Sequence, residues 1–178
     1  MCADMSRGVQ GIDHVGITVP DLDEASRYLE AVFGAVRQFD LENGDPHPSR
    51  KDQDSLGVRP GVRWRSSRLM SLGNGPTIEL FEYDDDDRRP AATASDYGLQ
   101  HLAIYVDDID AVARRVVEEG GRLLAGPGDL SGPEGGEGNR WHYTLAPWGS
   151  IIELITYPQG QNYEREQHVR RWRPRPDQ

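Results

Sequence analysis

Hydrophobic and polar positions follow one order along the chain, and that order occurs twice. Residues 12–19 are rich in apolar and β-branched types and end at Pro20, which predicts a strand. Asp21 follows as a helix N-cap, with Glu24 three positions on, the spacing of a capping box. Leu22, Ala25, Leu29, Val32 and Phe33 then share one helical face, and Gly34 stands where a left-handed stop belongs. A short strand over 35–41 and two longer ones over 62–72 and 77–83 complete the set. From residue 99 the order recurs: a strand over 99–106, the cap Asp108, apolar Ile109, Val112 and Val116, a stop at Gly120-Gly121, a short strand over 122–124, and strands over 140–146 and 151–157.

The recurrence is a sequence repeat. GIDHVGITVPDLDEASRYLEAVFGAV from Gly11 lies over GLQHLAIYVDDIDAVARRVVEEGGRL from Gly98, 87 positions on and without a gap. GPTIELFEY from Gly75 lies over GSIIELITY from Gly149, 74 positions on, so the first copy carries 13 extra residues before its last strand. The expectation is an α+β fold of two tandem βαβββ modules, 11–83 and 98–157, joined by a linker over 84–97. Residues 1–10 form an N-terminal extension and 158–178 a tail, in which Tyr163 and Trp172 suggest some packing. Residues 42–61 read as a long polar loop with room for one helical turn. The run DDDDRRP in the linker reads as a solvated turn.

Composition narrows the class. A length of 178 residues suits one compact unit, and 36% hydrophobic residues suffice for a modest core. No apolar run approaches the roughly 20 residues needed to span a bilayer. The first residues lack a signal-like apolar stretch, and a lone Cys2 offers no internal disulfide, so a cytoplasmic protein is expected. A formal net charge of −10 argues against nucleic acid or an anionic membrane as partner.

The repeat sets His14 over His101 and Glu79 over Glu153, while neighbouring positions exchange one apolar type for another. A carboxylate inside an apolar strand is costly unless paired or coordinated. Two imidazoles and two carboxylates, one of each per copy, suit a divalent metal ion. Strand parity adds Gly16 and Thr18 to the face of His14, and Ala103 and Tyr105 to that of His101. Thr18, Tyr105, Trp141 and Tyr143 are candidate pocket residues; Trp64 and Trp148 also qualify, although packing explains such aromatics as well. His142 falls on the opposite strand face and reads as structural. Arg63, Arg65 and Arg68 read as solvated edge charges, and the Gly-rich 126–138 stretch as a connector or lid.

DHVGITVPDLDEA, IELFEY, QHLAIYVDDIDAV and APWGSIIELITYP together resemble the vicinal oxygen chelate superfamily, which includes glyoxalase I, methylmalonyl-CoA epimerase, extradiol dioxygenases and bleomycin- and fosfomycin-resistance proteins. The resemblance covers residues 11–157. It implies two modules curled into a half-open barrel, a homodimer, and one divalent ion (Ni, Zn, Co, Mn or Fe) in a cleft, held by His14, Glu79, His101 and Glu153. It further implies a lyase or isomerase acting on adjacent oxygens of a small metabolite through an enolate-like intermediate. Glu153 or Glu79 would be the base. The epimerase typically has Gln at the position of Glu79, which points to Glu153. An extradiol dioxygenase, needing two histidines and one carboxylate, and a metal-free drug-binding protein are the alternatives.

Overall fold

The computed structural model describes residues 8–9, 11–167 and 171–174; Cys2 and His168 lie outside the described residues. Module one comprises β1 (His14–Thr18), α1 (Leu22–Phe33), β2 (Val36–Glu42), α2 (Arg50–Leu56), β3 (Arg63–Ser71) and β4 (Thr77–Asp84). Its sheet runs β1-β4-β3-β2. Module two comprises β5 (Leu102–Tyr105), α3 (Ile109–Glu118), β6 (Arg122–Leu123), β7 (Gly128–Asp129), β8 (Arg140–Leu145) and β9 (Ile151–Thr156). Its sheet runs β5-β9-β8-β6, with β7 added on β8. The first strand of each module pairs in parallel with the last, and the other pairings are antiparallel. The fold is α+β with two βαβββ modules, and neither sheet closes into a barrel.

Local chemistry sets the helices. Asp21 accepts a hydrogen bond from the Glu24 backbone N–H at 2.8 Å, and Asp108 does the same for Ala111 at 2.9 Å. Gly34 ends α1 at φ 68°, a backbone that side chains other than glycine resist. Leu22, Ala25, Leu29 and Val32 of α1 meet Met70, Ile78 and Leu80 of the first sheet. Val112 and Val116 of α3 meet Ile152 and Leu154 of the second, and all join one core. The helices also touch each other, and Arg115 Nε donates to the Val32 carbonyl at 3.0 Å. Each Val, Leu, Ile or Met among them contributes about 1.5–3 kcal/mol when fully buried. Because both helices lie against this shared core, each sheet keeps one face turned away from them.

Three differences from the expectation have physical causes. Residues 50–56 form two helical turns instead of one, because Ser49 caps the Asp52 N–H at 2.9 Å and Gly57 supplies a left-handed end at φ 67°. The two-residue β7 carries too little periodicity to be seen in sequence. Arg68 is buried rather than a solvated edge charge. It donates to both carboxylate oxygens of Asp40, at 2.9 and 2.8 Å, and to Asp23 and Ser26 of α1.

Candidate metal centre

Strand register repeats the same small geometry in each sheet. Glu79 on β4 pairs with Gly16, two residues beyond His14 on β1. Glu153 on β9 pairs with Ala103, two residues beyond His101. Both glutamates face away from the helices, since Ile78 and Leu80, and likewise Ile152 and Leu154, enter the core. The result is two matched pairs: His14 Nε2 lies 3.4 Å from Glu79 Oε2, and His101 Nε2 lies 3.1 Å from Glu153 Oε2. A small residue opposite each carboxylate leaves space beside it.

The other ring nitrogen is held the same way in both copies. His14 Nδ1 is 2.8 Å from Asp13 Oδ1, and His101 Nδ1 is 3.0 Å from Gln100 Oε1. A neutral imidazole that donates from Nδ1 leaves its Nε2 lone pair facing a carboxylate oxygen. Two acceptors at that distance repel unless a proton or a cation lies between them. One nitrogen and one oxygen donor per pair, with Nδ1 held by an oxygen acceptor, is the chemistry of a divalent transition-metal ligand set. The residues therefore fit the implied ion as two halves. Among the described residues no three His, Cys, Asp or Glu side chains gather as a metal-holding group.

Surroundings differ between the halves. Asp13 is the main cause that raises the His14 imidazole above its ordinary value, helped by Glu79 and opposed by desolvation. Ser67 Oγ donates to Glu79 Oε1 at 3.2 Å. Phe81 and Tyr83 stack at 5.9 Å along the same face, and Phe81 stands over Gly16. Burial raises the Glu153 carboxyl, and the charge of His101 opposes that rise. Tyr143, the register partner of Glu153, meets the His101 ring edge-on at 5.1 Å and lies tilted against Trp141 at 5.4 Å, and strand parity puts both on the face of Glu153. Tyr105 lies there too, edge-on to Tyr157 at 4.9 Å. Thr18 sits exposed on the face of His14. Trp148 packs edge-on against Tyr28 of α1 at 5.3 Å, away from both pairs. His142 is buried 3.1 Å from the Leu124 carbonyl, in the structural position expected. The sequence reading passed over Asp13 and Gln100; their place immediately before each histidine was the available signal.

The model of the Glyoxalase/Bleomycin resistance protein/Dioxygenase superfamily matches residues 13–141, and the chain belongs to that superfamily. Among individual relatives it is 37% identical over 179 residues to a 2-epi-5-epi-valiolone epimerase from Actinomyces sp., covering 94% of this chain and 92% of that protein. Its fold is similar to that of a glyoxalase family protein from Bacillus cereus, with a TM-score of 0.67 at 18% identity, covering 86% of this chain and 98% of the other. A fosfomycin resistance protein from Listeria monocytogenes, solved with Mn(II) and dihydroxypropylphosphonic acid, gives a TM-score of 0.57 at 16% identity over 89% of this chain and 99% of its own.

Proposed function

We propose that the chain is a divalent-metal-dependent epimerase that inverts a carbon bearing a hydroxyl beside a ketone. The observation that carries this reading is the His–Glu pair built identically into both sheets. The 37% identity to a 2-epi-5-epi-valiolone epimerase supports the reaction type and a small ketone as substrate. Epimerisation beside a carbonyl removes a proton from one face of the carbon and returns one to the other. A bound divalent ion would supply Lewis acidity toward the two adjacent substrate oxygens. His14 and His101 would hold that ion, each ring fixed by Asp13 or Gln100. Glu153 takes the carbon-bound proton at its carboxylate, and Glu79, from the opposite module, returns one to the other face. Tyr143 holds the His101 ring and, with Trp141, keeps water from Glu153.

The two halves meet in a homodimer in which module one of each chain faces module two of the other. β1, which begins at His14, and β5, which follows His101, are edge strands with one free side among the described residues. Exposed Ile12 and Leu99 each stand two residues before the histidine.

Deuterium exchange from solvent into 2-hydroxycyclohexanone tests the reaction, with bound metal quantified by elemental analysis. Metal-loaded protein should exchange the hydrogen beside the carbonyl. Glu153→Gln should keep its metal and slow exchange about 10²–10⁴-fold, the usual contribution of a general base. Full exchange by that variant would remove Glu153 as the base, and protein that takes up no divalent ion under loading would remove the metal reading.

A further inference from the structure

The two His–Glu pairs match, but what holds their carboxylates does not. In module one, Ser67 on β3 lies opposite Phe81, so it shares the face of Glu79 and stands diagonally across from it. Ser67 is only 2% exposed, and a buried hydroxyl is costly unless it is bonded. Its register partners are Leu41 on β2 and Phe81 on β4, and neither side chain can take a hydrogen bond. The hydroxyl donates instead to Glu79 Oε1, at 3.2 Å. Both oxygens of that carboxylate are therefore spoken for: Oε1 accepts from Ser67, and Oε2 faces His14 Nε2 at 3.4 Å.

Module two does not copy this anchor. The residue 74 positions after Phe81 is Ile155, and its partner on β8 is Trp141. An indole stands where module one has the hydroxyl. Glu153 Oε2 faces His101 at 3.1 Å, and among the described residues no hydroxyl bonds its other oxygen. The repeat thus keeps the His–Glu pair and changes the group beside it.

Inversion at a carbon has the same asymmetry, since one face gives up a proton and the other receives one. We infer that Ser67 is a positioning residue: its hydroxyl fixes Glu79 with Oε2 toward the reacting carbon, so that the returning proton comes from one set direction. With Oε1 occupied as an acceptor, a proton on Glu79 resides on Oε2. Glu153, which has no such anchor, takes the proton from carbon and ends protonated. Glu79 gives up its own proton to the opposite face and ends ionised, and exchange with water resets both. The inference rests on the proposed epimerase for these two roles, and on the Ser67–Glu79 bond for the anchor.

Enantiopure 2-hydroxycyclohexanone in D₂O separates the two steps. Exchange beside the carbonyl, read by NMR, needs Glu153; inversion, read by circular dichroism, also needs Glu79. Ser67→Ala should lower the ratio of inversion to exchange roughly 10- to 100-fold, the worth of one hydrogen bond to a charged group. Added to Glu79→Gln, the same change should leave the ratio as it is. Cobalt(II) binding, followed by visible absorption, reads the anchor without a substrate. Ser67→Ala should weaken it about 10–100-fold, as loss of a ligand's supporting hydrogen bond does, and should weaken it no further in a Glu79→Ala background. A ratio or a cobalt affinity that Ser67→Ala leaves unchanged, or lowers equally once Glu79 is replaced, would overturn the role of Ser67. Wild type that takes up no cobalt would overturn both this role and the metal reading. Coupled cobalt binding without exchange or inversion would instead overturn the epimerase and leave Ser67 as the anchor of Glu79.

Discussion

At the residue scale, the histidines depend on the amino acids just before them. Asp13 and Gln100 each accept from Nδ1, fixing ring orientation and the nitrogen left free. Partners of this kind are worth about 10–100-fold in metal affinity. Asp13→Ala and Gln100→Ala should therefore each weaken divalent-ion binding by that order, with secondary structure unchanged by circular dichroism; unaltered affinity would show that the bonds do not orient ligands. The pairing of Glu79 with Gly16 and of Glu153 with Ala103 shows how much was legible here. Residue identity, spacing and face were all readable from the repeat. The 3.4 and 3.1 Å approaches were not, because they depend on parallel pairing between strands some 50 or more residues apart.

At the element scale, Arg68 ties three elements together: it reaches from β3 to Asp40 on β2 and to Asp23 and Ser26 on α1. Its sequence context, RWRSSR, gave no sign of this, since a strand arginine shows its burial only once a helix covers it. The bond from Arg68 holds the Asp40 carboxyl below its ordinary range, with burial opposing. Asp40 thus stays ionised to lower pH in the folded chain than in the unfolded one. Its contribution is complete above the ordinary carboxylate value of 3.8 and is lost as pH falls through the lower folded value. Asp40→Asn should cost about 2 kcal/mol near neutral pH, in line with hydrogen bonds to a charged partner. Urea titrations should show the gap between variant and wild type closing as pH drops below that value. A gap that stays constant with pH would rule out the ion pair as its source.

At the scale of the whole molecule, α1 and α3 pack on one shared core, and the faces carrying the two His–Glu pairs turn away from it. The described tail residues fold back on their own chain: Tyr157 donates to the Trp172 carbonyl at 2.6 Å, and Arg171 pairs with Glu134 at 2.9 Å. The proposed site, shared between chains, makes a specific prediction. His14→Ala and His101→Ala should each be inactive alone. When unfolded together and refolded, mixed dimers should regain one intact site of two, giving about a quarter of wild-type activity on random pairing. No recovery from the mixture, or a monomer by sedimentation at micromolar concentration, would overturn the shared site.

The sequence by itself determined the modules, because strand and helix periodicity, caps and glycine stops are local properties and the repeat doubled each signal. It also determined the four candidate ligands, since an identical His and Glu recur in register while their apolar neighbours vary. Tertiary structure alone decided how close the four come in pairs, His14 to Glu79 on one sheet and His101 to Glu153 on the other. It alone buried Arg68 beneath α1. Each of these outcomes depends on which surfaces the helices cover, and that is set by contacts between segments far apart in the chain, which no local pattern encodes.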